Sequence, residues 1–145
     1  MGKINRARVL IGGLIAGVVQ NVLWYAVWGP LVGRSLSDAL QKLGQPMHQT
    51  VGTTVTGVVL TFLIGILAIW LYAAIRPRYG AGPGTAALAG VATGLLVAVI
   101  PDIGWGLTLA SIPLKVWVGD ALFSLVAMVI ATLLGAWVYK EQAPQ

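Results

Sequence analysis

Gly84-Thr85-Ala86-Ala87-Leu88-Ala89-Gly90-Val91-Ala92-Thr93-Gly94-Leu95-Leu96-Val97-Ala98-Val99-Ile100-Pro101-Asp102-Ile103-Gly104-Trp105-Gly106 is the stretch that decides the fold. Its first half carries no charge and has a small residue at every fourth position, Ala86, Gly90, Gly94 and Ala98. That spacing stacks the small residues on one face of a helix, where another backbone can come close. Pro101 and Asp102 follow, and then a glycine-rich tail bearing Trp105. The pattern is that of a membrane helix built for close packing, with a carboxylate towards its outer edge.

The rest of the chain agrees with that reading. Its 145 residues are the length of one domain, 58% hydrophobic and only 9% charged. The mean hydropathy is +0.88, whereas soluble domains are about 25% charged. A water-soluble fold is thereby excluded as an expectation. There are no cysteines, which removes disulfides, thiolate metal sites and thiol nucleophiles. The net charge of +5 comes from basic residues scattered between apolar runs, so no nucleic-acid-binding face is expected. Positive-inside topology explains the excess.

Four segments are long enough to cross a hydrocarbon core: about 9–28, 51–75, 85–105 and 116–139. The first follows Lys3, Arg6 and Arg8 as a signal peptide would. It is too long for an ordinary signal core and ends in Trp24-Tyr25-Ala26-Val27-Trp28-Gly29-Pro30 without a small-residue cleavage site, so it reads as an uncleaved span. With the N-terminus inside, the inner segments hold six basic residues (Lys3, Arg6, Arg8, Arg76, Arg78, Lys140) and the outer ones three (Arg34, Lys42, Lys115). Both termini are therefore expected in the cytoplasm. Trp24, Tyr25, Trp28, Trp105 and Trp117 would form the outer aromatic belt, and Trp70, Tyr72, Tyr79, Trp137 and Tyr139 the inner one.

Between the first two spans, Leu36, Leu40 and Leu43 share a face and predict a short outer amphipathic helix over about 36–43. It would be capped by Ser35-Leu36-Ser37-Asp38 and ended by Gly44 and Pro46. Pro77 and the glycines of Arg76–Gly84 predict a tight inner turn. Its arginines are read as topology determinants, with lipid phosphate as the alternative partner. A faint repeat relates the two hairpins: Gly13 and Gly17 precede Trp28-Gly29 as Gly90 and Gly94 precede Trp105-Gly106. Chance similarity between glycine-rich helices explains it as well. The expected fold is an all-α integral membrane four-helix bundle, a single domain over 1–145.

Small residues line every span. Gly13 and Gly17, then Gly57 and Gly65 with Thr53 and Thr61, then Gly90 and Gly94, then Ala127, Ala131 and Gly135 are the expected helix-packing positions. Lipid tails are as apolar as leucine, so close backbone approach is what holds such helices together. Some of these faces would serve other subunits.

The polar residues within the spans are the functional candidates: Gln20, Asn21, Asp102 and Asp120. Most lie in the outer half, which suggests an outward polar recess above a sealed inner half and argues against a continuous pore. Pro101 removes a donor and frees the Val97 carbonyl, so Asp102 is either a cation or proton site or a structural carboxylate paired with Lys115 or Arg34. Asp120 sits in an early turn of its helix and reads as structural. His48 is the only histidine. A metal site is not expected, and no resident cofactor is predicted. His48 is at most a haem or pigment ligand, with Gln20 or Asn21 as alternative ligands to a pigment magnesium. No nucleophile elbow, catalytic triad or phosphate loop is present, so the chain reads as non-enzymatic.

Trp70-Leu71-Tyr72-Ala73-Ala74-Ile75-Arg76-Pro77-Arg78-Tyr79-Gly80-Ala81-Gly82-Pro83-Gly84-Thr85-Ala86 resembles a segment of a group of small bacterial four-helix membrane proteins of unknown function. The run Arg8–Gly17 and the ending Ala131–Glu141 are similar to theirs too. The resemblance implies four spans and the cytoplasmic membrane of a bacterium. It carries no activity and no functional residues. The function expected is an accessory or structural subunit of a larger membrane complex, respiratory or photosynthetic, with bound lipid and other membrane subunits as partners. The alternative is a small transporter or channel, active alone or as an oligomer, using the outer recess.

Overall fold

The computed structural model describes residues 4–45, 49–109 and 111–141. Four helices make up the fold: α1 (Arg6–Lys42), α2 (Val51–Tyr79), α3 (Pro83–Thr108) and α4 (Leu114–Trp137). Each is long and apolar enough to cross a membrane. No strand occurs among the described residues. α1 packs on α2 and α4, and α3 on α4 and α2, which closes a ring of four.

Glycines set how closely the helices approach. A Cβ added at Gly13 would lie 2.5 Å from the Cα of Ile66, and one at Gly65 would lie 2.6 Å from the Gly13 carbonyl oxygen. Gly17 meets the Phe62 ring in the same crossing of α1 over α2. Between α3 and α4, Cβ atoms at Gly90 and Gly94 would lie 2.8 Å from the Val129 Cα and 2.9 Å from a Leu125 methyl. Gly135 of α4 abuts the backbone of Gly12 of α1. Ala127 and Ala131 of α4 are buried. Gly57 differs from the rest: nothing lies within 4 Å of an added Cβ, so the packing expected there is not made among the described residues.

At one end of the bundle the termini and the α2–α3 turn come together. The Asn5 backbone N–H donates to Tyr139 Oη at 3.3 Å. Tyr72 meets Tyr139 edge to face at 5.8 Å. The Arg76 guanidinium lies 5.5 Å from the Tyr139 ring centre and 3.4 Å from the Glu141 carboxylate. Tyr72 and Tyr139 are thus buried packing residues, not members of an aromatic belt, because hydroxyl and cation partners are supplied from inside the bundle. Trp70, Tyr79 and Trp137 remain exposed. The main core (Val9, Ala16, Ile69, Ala73, Ala86, Ala89, Ala131) fills this half of the molecule, here called the terminal end.

The prolines do less to the helices than the sequence predicts. α1 passes through Pro30 and α3 through Pro101 by adopting the wider π form over Trp24–Gly33 and Leu95–Val99. The Arg34 N–H then bonds the Gly29 carbonyl, and the Ile100 N–H bonds that of Leu95. A proline ring in an α-helix collides with the carbonyl four residues back; a π turn widens the helix at that point. The third span therefore runs past Pro101 to Thr108, and Pro77 is accommodated in the last turn of α2, which ends at Tyr79 instead of residue 75. Gly80 at φ 85° and Gly82 at φ 147° make the turn.

The amphipathic segment occupies Arg34–Lys42 as a direct extension of α1. Gly33 ahead of it is already helical and no side chain caps it. The capping box expected from Ser35 to Asp38 is therefore not formed, because no helix starts there. Gly44, at φ 71°, ends the segment, with the Gln45 N–H on the Leu40 carbonyl and the Gly44 N–H on that of Gln41, both at 3.0 Å. A capping box does open α2, where Thr50 and Thr53 exchange backbone-to-hydroxyl bonds of 3.0 and 3.2 Å.

Candidate functional site

Beyond the Gly17–Phe62 contact, α1 has no further glycine against α2 until Gly29; it presents Asn21, Trp24 and Trp28. The π turns bring residues four apart nearly into register, and the Trp24 and Trp28 rings stack at 3.9 Å with 17° between their planes. This bulk holds the first half of α2 away. Every residue from Val51 to Gly57 is exposed, although the segment is fully helical.

The result is a recess of about 430 Å³ opening at the end opposite the termini. One wall is Asn21, Trp24, Tyr25, Trp28 and Gly29; the other is Gln49, Thr53, Thr54, Gly57, Val58 and Thr61. Its volume falls in the range of small-molecule sites, which are mostly apolar with a few placed polar groups. The stripe Thr53, Gly57, Thr61, expected to pack against a helix, instead faces this space.

Behind the α1 wall stands a second polar group. The Trp28 indole N–H donates to Asp120 Oδ1 at 2.6 Å, and Ser124 Oγ donates to the same oxygen at 3.4 Å. Asp120 thereby orients a recess side chain from α4, and Trp28 is only 7% exposed. Asp102 is half-buried on α3. No ion pair joins Asp102 to Arg34 or Lys115; the pair found among the described residues is Arg76–Glu141. Gln20 points into the bundle, 8% exposed, and its amide donates to Met128 Sδ at 3.8 Å. Its Oε1, Thr93 Oγ1 and Trp117 Nε1 have no hydrogen-bond partner among the described residues.

Of the polar residues singled out by sequence, only Asn21 lines the recess. Asp120 acts on it through Trp28, while Gln20 and Asp102 lie elsewhere. His48 falls outside the described residues. No group of three metal-ligating side chains converges among the described residues. The residues that sequence reasoning assigned to other duties are the aromatic ones, Trp24, Tyr25 and Trp28, and the α2 hydroxyls. Their clustering at facing helix ends, with the glycine of α2 opposite an asparagine and not opposite another glycine, was the available signal.

The chain matches no family model, and no curated protein or solved structure is significantly similar to it.

Proposed function

We propose that this chain is a small, non-enzymatic protein of the bacterial cytoplasmic membrane that binds or transports a solute through the recess between α1 and α2. The orientation rests on charge. Arg6, Arg8, Arg76, Arg78 and Lys140 gather at the terminal end, against Arg34, Lys42 and Lys115 at the other, which supports cytoplasmic termini and a recess on the outer side. The observation that carries the reading is the polar-walled recess of about 430 Å³. In the terminal half alanine, Ile69 and Met128 fill the interior, and the two recesses there, about 330 Å³ each, border Pro83 at the α2–α3 turn. Filling the recess tests it. A Cβ at Gly57 meets no neighbour among the described residues, so Gly57→Trp can direct its ring into the recess and should leave the fold intact while abolishing uptake or binding in proteoliposomes. Undiminished uptake would reject the recess as the site.

A second reading, an accessory subunit of a larger membrane complex, draws on the same uncovered half of α2. A partner's helix laid along Thr53, Gly57 and Thr61 would complete a close-packed interface of the kind found elsewhere in the bundle. Isolation in mild detergent followed by mass spectrometry separates the two readings. Stoichiometric recovery with one defined complex, cross-linked through Gly57→Cys, supports the subunit; a homogeneous chain that still takes up solute supports the transporter.

A further inference from the structure

The floor of the recess is more selective than its mouth. Asn21 Nδ2 donates to the Gly17 carbonyl at 2.8 Å, and Thr61 Oγ1 to the Gly57 carbonyl at 2.9 Å. The Thr61 proton and one of the two Asn21 amide protons are thus committed to the backbone. The two deepest polar side chains then offer a guest mainly lone pairs, Asn21 Oδ1 and Thr61 Oγ1, against one remaining Asn21 N–H. The Trp28 indole N–H, which would otherwise face a guest as a donor, is turned to Asp120. The stacked Trp24–Trp28 pair and Tyr25 supply aromatic faces, whose negative potential attracts cations. Among the described residues no lysine, arginine or histidine lines the space, and a carboxylate, that of Asp120, stands directly behind Trp28.

Each alternative guest fits less well. An anion would meet one amide N–H and otherwise lone pairs and ring faces, with no cationic partner among the described lining residues. A wholly apolar guest would cover Asn21 and Thr61 and leave their acceptors unpaired. A protonated amine with an apolar or aromatic body satisfies both features. Its N–H groups reach the two acceptors, its charge sits over the rings, and its body occupies the space along Val58 and Gly57. We infer that the recess selects lipophilic organic ammonium ions. This rests on the recess being the working site, and it adds the class of ligand.

The test uses the full-length chain in detergent or nanodiscs and three probes that share one body: 4-phenylbutylamine, 4-phenylbutanol and 4-phenylbutyrate. Binding is followed by tryptophan fluorescence and by equilibrium dialysis, with protein-free detergent or nanodiscs as the partition control. Saturable binding of the amine, about tenfold tighter than the alcohol and more so than the carboxylate, is the expected result. Thr61→Val should weaken the amine several-fold at an unchanged unfolding midpoint, because its side chain borders open space. Trp24→Leu should weaken it several-fold too, with the lost stack on Trp28 lowering the midpoint of a chain that still folds. Alcohol or carboxylate binding as tightly as the amine, with the same sensitivity to Thr61→Val and Trp24→Leu, would overturn the ammonium assignment and leave the recess standing. Saturable binding indifferent to both substitutions, or no saturable binding of any probe, would overturn the recess reading and the inference with it.

Discussion

Replacing Gly65 with alanine should separate α1 from α2, and the same change at Gly57 should not. The new methyl group at position 65 would lie 2.6 Å from the Gly13 carbonyl oxygen, 2.9 Å from the Gly17 nitrogen and 3.3 Å from its Cα. Ordinary contact for such pairs is about 3.4 Å or more, so the nearest must open by roughly 0.8 Å. All three atoms are backbone, so no side chain can turn aside to make room. The helices must shift as bodies, and the neighbouring contacts of Gly13 on Ile66 and Gly17 on Phe62 loosen with them. Overpacking of this kind costs about 1–3 kcal/mol. At Gly57 nothing stands within 4 Å of the added carbon, and Gly→Ala in a helix carries a propensity gain of up to about 1 kcal/mol. The two single-methyl variants should therefore differ by about 2–4 kcal/mol in reversible unfolding in mixed micelles. Equal stabilities, or a greater loss at Gly57, would show that the crossing of α1 over α2 is not where the structure places it.

Three further outcomes follow from other contacts. Trp28→Phe keeps the ring and removes the donor 2.6 Å from Asp120; a double-mutant cycle with Asp120→Asn should give a coupling of about 1.5–3 kcal/mol, and none would mean the bond is not made. Glu141→Gln weakens the contact with Arg76 at 3.4 Å, where Glu141 is a third exposed, so unfolding titrations should show a loss of about 0.2–1 kcal/mol that shrinks in salt. Pro101→Ala removes the ring that the π turn at Leu95–Val99 accommodates. Reversion to α geometry should rotate the outer part of α3, and disulfide formation between cysteines placed at Gly106 and Trp117, now in contact, should fall relative to the same pair in the Pro101 chain.

The helical architecture was legible because the signals for it are local and repeated. Long apolar runs give four helices, and four-residue spacing of glycine places Gly13, Gly17, Gly65, Gly90, Gly94 and Gly135 on contact faces. Spacing cannot say which partner a face meets. Gly57 continues the same stripe as Gly65 yet fronts open space, since what lies across from it is decided by the bulk of Trp24 and Trp28 on another helix. Gly12 escaped notice for the converse reason: its partner, Gly135, lies far along the chain. The sequence leaves open whether the third span stops at Pro101 or runs on, because the π turn that accommodates the ring leaves no mark in composition. Only at Pro77, inside the last turn of α2, does the α-helix rule end a helix too early. Tyr72 and Tyr139 resemble belt residues in sequence, and only the contact of Tyr72 with Tyr139, and of Tyr139 with Arg76 and Asn5, shows otherwise. At the recess, Asn21 could be picked out as a polar residue in an apolar run. Trp24 and Tyr25 could not be separated from an ordinary aromatic girdle.

The account stands most directly on the recess being open on the side away from the termini. The chain has no cysteines, so single cysteines at Gly57 and at fully buried Ala68 report without background. In right-side-out cell preparations, a membrane-impermeant maleimide should label Gly57→Cys rapidly and leave Ala68→Cys unlabelled until the protein is denatured. Protection of Gly57→Cys, or its labelling only in inverted vesicles, would contradict the account.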